Sequence, residues 1–143
     1  MKSLPTLLLV CCLSHILAAQ KLPDLSGCWR GVITQDKGGF RPEYGMEMYL
    51  TQKGNLITGR SFVYFEKYYA EMEVEGEVLE GSILQFKEKK INAYRKIEGM
   101  EWCLKQATLS LLKTELKGAW EGSTSFGPCV PGKIVLKRST PRA

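Results

Sequence analysis

Histidine is nearly missing from this 143-residue chain. The one it has, His15, lies in an apolar N-terminal stretch that reads as a leader. Without that stretch no histidine remains. This argues against Ser-His-Asp and Cys-His nucleophile activation and against histidine-ligated zinc. No metal site and no cofactor is expected. The C-x-x-C spacing is missing too, which speaks against dithiol redox chemistry. No long stretch carries helical periodicity, so helices are not expected to build the core. The apolar N-terminal stretch is itself too short and badly flanked to cross a membrane as a helix.

The leader reading rests on Met1-Lys2, the apolar run Leu4 to Leu17, and Ala18-Ala19-Gln20. A positive start, a short apolar centre and small residues at the end describe a signal peptide, with cleavage expected after Ala19. Cys11 and Cys12 do not read as a lipidation site, because Val10 stands where a small residue is needed. Removing 19 of 143 residues leaves residues 20–143 as a single domain of 124. Lys2 leaves with the leader, so 20 basic residues become 19 against 15 acidic ones, a net charge of +4. The two signs are interleaved, which argues against a nucleic-acid face. The expected location is secreted or periplasmic.

What the sequence does have is alternation. Short runs of period two recur every 10 to 15 residues, with Gly, Asn or charged turns between them. Met46, Met48 and Leu50 alternate with Glu47, Tyr49 and Thr51. Ala70, Met72 and Val74 alternate with Glu71, Glu73 and Glu75. Strands are expected at Leu25 to Gln35, Tyr44 to Gln52, Leu56 to about Glu66, and Tyr68 to Gly76. Four more follow at Val78 to Lys87, Trp102 to Leu112, Glu115 to Thr124 and Lys133 to Arg138. The basic stretch around Lys87-Glu88-Lys89-Lys90 reads as the start of a longer connection, about Glu88 to Gly99, with room for a helical turn. Eight strands joined mostly by hairpins can close into an all-β, antiparallel, up-and-down barrel. The charged outward positions argue against an outer-membrane barrel and against membrane insertion.

Up-and-down topology sorts residues to two ends. Leu25-Ser26-Gly27-Cys28-Trp29-Arg30-Gly31 returns as Leu116-Lys117-Gly118-Ala119-Trp120-Glu121-Gly122, both L-x-G-x-W-x-G. These stretches place Trp29 and Trp120 at one end, with Arg138 from the last strand over a Trp face as a plug. The opposite end gathers Phe40, Tyr44, Phe62, Tyr64, Tyr68, Phe86, Trp102 and Phe126, with Phe65, Tyr69 and Tyr94 nearby. Aromatics at a barrel mouth suit a pocket for a small apolar or aromatic ligand. They suit a filled core under loops equally well. Strand 3 leaves its register open, since either Phe62 with Tyr64 or Val63 with Phe65 can face inward. Arg41, Arg60 and Glu66 are polar residues near this mouth, without a catalytic constellation.

Three cysteines follow the leader: Cys28, Cys103 and Cys129. The turn near Lys113-Thr114 brings Cys103 opposite residues near 124, and Cys129 lies just beyond. The last strand running back along the first sets Cys28 near Val135, about 20 Å from Cys129. A disulfide needs Cα atoms within about 7 Å, so Cys103–Cys129 is the expected pair. Cys28 is then a free thiol on the outer face of strand 1.

The stretch Leu25-Ser26-Gly27-Cys28-Trp29, with Arg138 at the end of the last strand, resembles the calycin group of lipocalins, fatty-acid-binding proteins and avidins. Asn55-Leu56-Ile57-Thr58-Gly59 is similar to the third-strand turn of avidins. The tryptophan pattern of the biotin site is not there, nor is the C-terminal helix of lipocalins. The resemblance implies a barrel and, by analogy, a ligand carrier.

The function expected first is therefore a secreted barrel binding a small apolar or aromatic compound at its open end, and not an enzyme. The alternative is a protein partner. Small exported barrels with an L-x-G-x-W first strand resemble bacterial metalloprotease inhibitors, and Gln20-Lys21-Leu22-Pro23-Asp24 or the Cys129 loop would then act as the inhibitory segment. An enzyme would need Glu66, Glu71 or Tyr64 to face inward.

Overall fold

A computed structural model describes residues 21–140. The expected leader, residues 1–19, lies outside them. Eight long strands form: β1 (Gly27–Thr34), β2 (Glu43–Lys53), β3 (Leu56–Phe65), β4 (Tyr68–Leu79), β5 (Ile83–Arg95), β6 (Leu104–Leu112), β7 (Glu115–Thr124) and β9 (Gly132–Ser139). A two-residue strand, β8 (Gly127–Pro128), pairs with the end of β7. No helix occurs among the described residues.

Each long strand pairs antiparallel with the next, β7 pairs with β9, and β9 closes on β1. The sheet is thus an eight-stranded up-and-down barrel. Closure leaves no long edge for another chain to extend. Alternation decides which residues fill it. Met46, Met48 and Leu50 on β2 are buried, as are Ala70, Met72 and Val74 on β4. Leu84 and Phe86 on β5, and Ile134 and Leu136 on β9, complete the middle layers. Two glycines let strands approach closely there. A Cβ on Gly31 would lie 1.9 Å from the Val135 carbonyl oxygen, and one on Gly118 would lie 2.0 Å from that of Thr108.

The fifth strand is shifted as well as longer than its sequence suggests, since Val78 and Leu79, expected at its start, end β4 instead. Residues 88–95, expected in a connection, continue β5. The physical reason lies across the strand pair. Lys87 and Lys89 reach Glu75 at 3.1 and 3.3 Å, and Lys90 reaches Glu73 at 3.7 Å. The basic run is the exposed face of a strand set against the acidic face of β4. Register shifts between Glu71 and Met72, and between Glu73 and Val74, absorb the extra residues of β5.

Cys103 and Cys129 form a disulfide, with Cα atoms 6.5 Å apart. Cys28 is free, as the topology required, and its register is Ser139 rather than the expected neighbourhood of Val135. It is on the outer side of β1, opposite the inward Trp29, yet it is buried, with Tyr49 as its cross-strand partner. A disulfide of this kind fits an oxidising compartment.

Candidate functional site

The two ends of the barrel are built differently. At the closed end Trp29 is fully buried and its indole N–H donates to the Leu25 carbonyl at 2.9 Å. The Arg138 guanidinium stacks over the indole, 4.5 Å from the ring centroid. Its two terminal nitrogens donate to the carbonyls of Ser26 and Asp24, both at 2.7 Å. Gln52 fastens the same segment, accepting from the Leu25 amide and donating to the Pro23 carbonyl.

Trp120 does not share this end, which corrects the reading of the repeated stretch. Trp29 pairs with Arg138, whereas Trp120 pairs with Gly132. Six residues of β9 separate the two levels, about 20 Å along the strand. The repeat has the same spacing but a different phase against its strand. Trp29 is the third residue of β1, Trp120 the sixth of β7. The Trp120 indole N–H donates to the Thr34 carbonyl, at the other end of β1.

That other end is the mouth, and it holds a cavity of about 180 Å³. Phe40, Tyr44, Trp102 and Trp120 line it together with Ile33, Val63 and Met100. Phe65 lies between Tyr44 and Trp102, with ring centroids 5.6 and 5.8 Å away. The Arg41 guanidinium covers Phe65 at 4.4 Å from outside. Three polar residues also line the cavity: Gln35, Glu101 and Lys105. The Tyr44 hydroxyl donates to Gln35 at 2.7 Å, and burial pushes that phenol above its ordinary pKa. Glu101 ties the mouth loop to the β7–β8 turn by accepting from the Ser125 amide and hydroxyl, at 2.9 and 2.6 Å. These bonds hold its carboxyl below the usual range. A larger depression, about 970 Å³, lies on the outside across β3 to β7. Exposed Gln85, Gln106, Thr108 and Ala119 form its floor, so it is a saddle in the sheet surface rather than an enclosed space.

Of the mouth aromatics expected from sequence, Phe40, Tyr44 and Trp102 therefore meet at one cavity. Tyr68 stands beside them against Phe65, at 5.3 Å. Phe86 is buried deeper, level with Gly76 and Ala107. Phe126 is 80% exposed on the β7–β8 turn. Phe62 and Tyr64 face outward, because β3 turns Ser61, Val63 and Phe65 into the core. Phe62 stacks on Tyr69 at 5.5 Å, and the Tyr64 ring lies over Gly45, where a Cβ would come within 2.4 Å of it. Glu66 is exposed in the β3–β4 turn, and Glu71 pairs with Arg60 on the outer face at 3.1 Å.

One constellation escaped the sequence reading. Glu88 and Lys105 point into the barrel just below the cavity and form an ion pair at 2.8 Å, with side chains 0% and 3% exposed. Glu88 also accepts from the Lys105 amide at 2.9 Å and from the Ser61 hydroxyl. Lys105 Nζ donates a second bond, to the Cys103 carbonyl at 3.1 Å. A buried ion pair is tolerable only when its lone pairs and protons are satisfied in this way. The available signal was polar residues at inward positions, Glu88 after Leu84 and Phe86, and Lys105 before Ala107 and Leu109. Among the described residues no group of three or more acidic, Cys or His side chains could hold a metal ion. No protein-family model matches the sequence, and a search of curated proteins finds no match.

Proposed function

We propose that this chain is an exported carrier that holds one compact apolar or aromatic compound in the mouth cavity without transforming it. The observation that carries the reading is the 180 Å³ cavity between Tyr44, Trp102 and Trp120. Apolar cavities of about 150 Å³ accept a single benzene ring. Pockets for larger ligands begin near about 300 Å³. The fitting ligand is thus one ring with small substituents, not a fatty acid. The stack of Arg138 on Trp29 agrees with the calycin resemblance, and supports its carrier analogy. The leader and the disulfide support secretion or a periplasmic location.

A protein partner is the second reading. Phe126 and Phe40, 80% and 58% exposed, stand at the mouth end, close to the stapled Cys129 loop, and favour that loop as the contact. The segment before β1 gives it less support, since Gln52 and Arg138 bind that segment to the barrel.

Fluorescence of Trp102 and Trp120 during titration with a panel of single-ring compounds tests the first reading. Saturable quenching at micromolar to millimolar concentration is expected. A flat response across the panel, with an inhibited hydrolase recovered on the immobilised protein, would replace it with the second.

A further inference from the structure

The buried pair below the cavity narrows the ligand class, an inference that rests on the carrier reading. Lys105 belongs to two structures at once. Its ammonium is paired with Glu88, and the residue is among those that line the mouth cavity. An ammonium has three N–H donors. Among the described residues two have partners, the Glu88 carboxylate and the Cys103 carbonyl. The remaining donor is the one available to an occupant. The rest of the wall near it is Val63, Trp102 and Trp120, which offers an occupant apolar contact.

We propose that the cavity selects a neutral single-ring compound carrying one hydrogen-bond acceptor, such as an aryl ketone or aldehyde, with its oxygen on Lys105 Nζ. Charge decides between neutral and anionic ligands. The Lys105 charge is already matched by Glu88, and Glu101 also lies among the lining residues, so a carboxylate would enter without a matching positive charge. A hydrocarbon of the same shape would leave the third donor unpaired, at the cost of a hydrogen bond. Gln35 is the other donor-bearing side chain among the lining residues, with one amide N–H beyond the bond it gives Val130, and the double variant below separates it from Lys105. Its carbonyl oxygen accepts from the Tyr44 hydroxyl and the Phe40 amide, and its amide donates to the Val130 carbonyl.

Three probes of nearly equal shape separate these cases: acetophenone, α-methylstyrene and benzoate. Calorimetric titration of the mature protein is expected to rank acetophenone about tenfold tighter than α-methylstyrene, the worth of one hydrogen bond. Benzoate is expected to bind weakest. The double variant Lys105→Met with Glu88→Met replaces both charges together, which buried ion pairs tolerate better than the loss of one. It should bind α-methylstyrene as the parent does and lose the preference for acetophenone. Circular dichroism of the variant checks that the barrel is intact. If the parent binds both neutral probes equally, or benzoate best, the inference falls and the carrier reading stands. A preference that survives in a folded double variant also overturns it. If no probe binds, α-methylstyrene included, the carrier reading itself fails. If the double variant does not fold, Lys105→Arg decides by reach: the preference for acetophenone should shrink, and an unchanged ranking counts against the assignment.

Discussion

At the closed end the Trp29 indole N–H bonds to the Leu25 carbonyl, and the ring lies under the Arg138 guanidinium, which is itself bonded to the Ser26 carbonyl. At the mouth Trp102 and Trp120 are buried too, though less completely, and both line the same cavity. The same residue type thus serves two ends in opposite ways. One indole fills space, and two enclose it. The difference comes from what crosses each end. A short segment before β1 lies over Trp29 and is bonded down by Gln52 and Arg138. The mouth is crossed by longer loops, fastened by the disulfide, by Gln35 and Glu101, and by backbone bonds such as that from the Asp36 amide to the Pro131 carbonyl.

Substitution of the two kinds of tryptophan offers the hardest test of that contrast. Trp29→Ala leaves a void among fully buried neighbours and should cost about 3–5 kcal/mol of stability. Trp102→Ala enlarges a cavity that loops can partly collapse, and should cost distinctly less. Urea unfolding of both variants gives the comparison, and equal costs would break it. Removing the staple is expected to come next. Replacing Cys103 and Cys129 with Ser opens a loop with a sequence separation of 26 and should cost about 3 kcal/mol. Hydrogen exchange should then quicken in residues 96–103 and 125–131 and stay slow in β1 and β9. A uniform loss of protection would mean that the ends are not independent.

The smallest effect expected is acid loosening of the mouth alone. The bonds from Ser125 hold the Glu101 carboxyl below its ordinary value of 4.5. Its contribution is therefore complete above that value and is lost as pH falls through the lower, folded one. Lowering the pH through this range should reduce the protection of Ser125 and Phe126, measured against the intrinsic exchange rate at each pH. Glu101→Gln should show the same reduced protection at neutral pH, with no further acid step there. An acid step retained in that variant would assign the change to another group.

Much of the barrel could be read from alternation alone, since Met46, Met48 and Leu50 or Ala70, Met72 and Val74 leave one choice of face. Where the reading failed, alternation was either masked or stopped too early. On β3 both faces carry rings, so hydrophobicity could not choose. Counting back across the Glu66-Lys67 turn would have chosen, because it pairs Val63 with Ala70. On β5 the exposed lysines resembled a loop, and stopping there hid the inward Glu88. Trp120 was misplaced because a motif fixes spacing and not where the strand begins. The cavity aromatics Phe40, Tyr44 and Trp102 were legible from topology. Lys105 was not, since nothing in its neighbourhood of sequence shows that its ammonium finds Glu88, 17 residues earlier, across the β5–β6 pair.

The seam between β1 and β9 has a mechanical consequence. Its pairs run from Cys28–Ser139 to Ile33–Ile134, and the strands are antiparallel, so the chain enters β1 and leaves β9 at the same end. A pull applied through residues 24 and 140 therefore acts across the seam rather than along it. The pairs carry that load one after another, beginning at Cys28–Ser139, instead of sharing it. Before them stand the bonds from Arg138 to Asp24 and Ser26, which tie the two chain segments directly together. Under tension the barrel should peel open from the Trp29 end at modest force, with Arg138 as its first latch, while the mouth and its cavity remain assembled until the seam has parted.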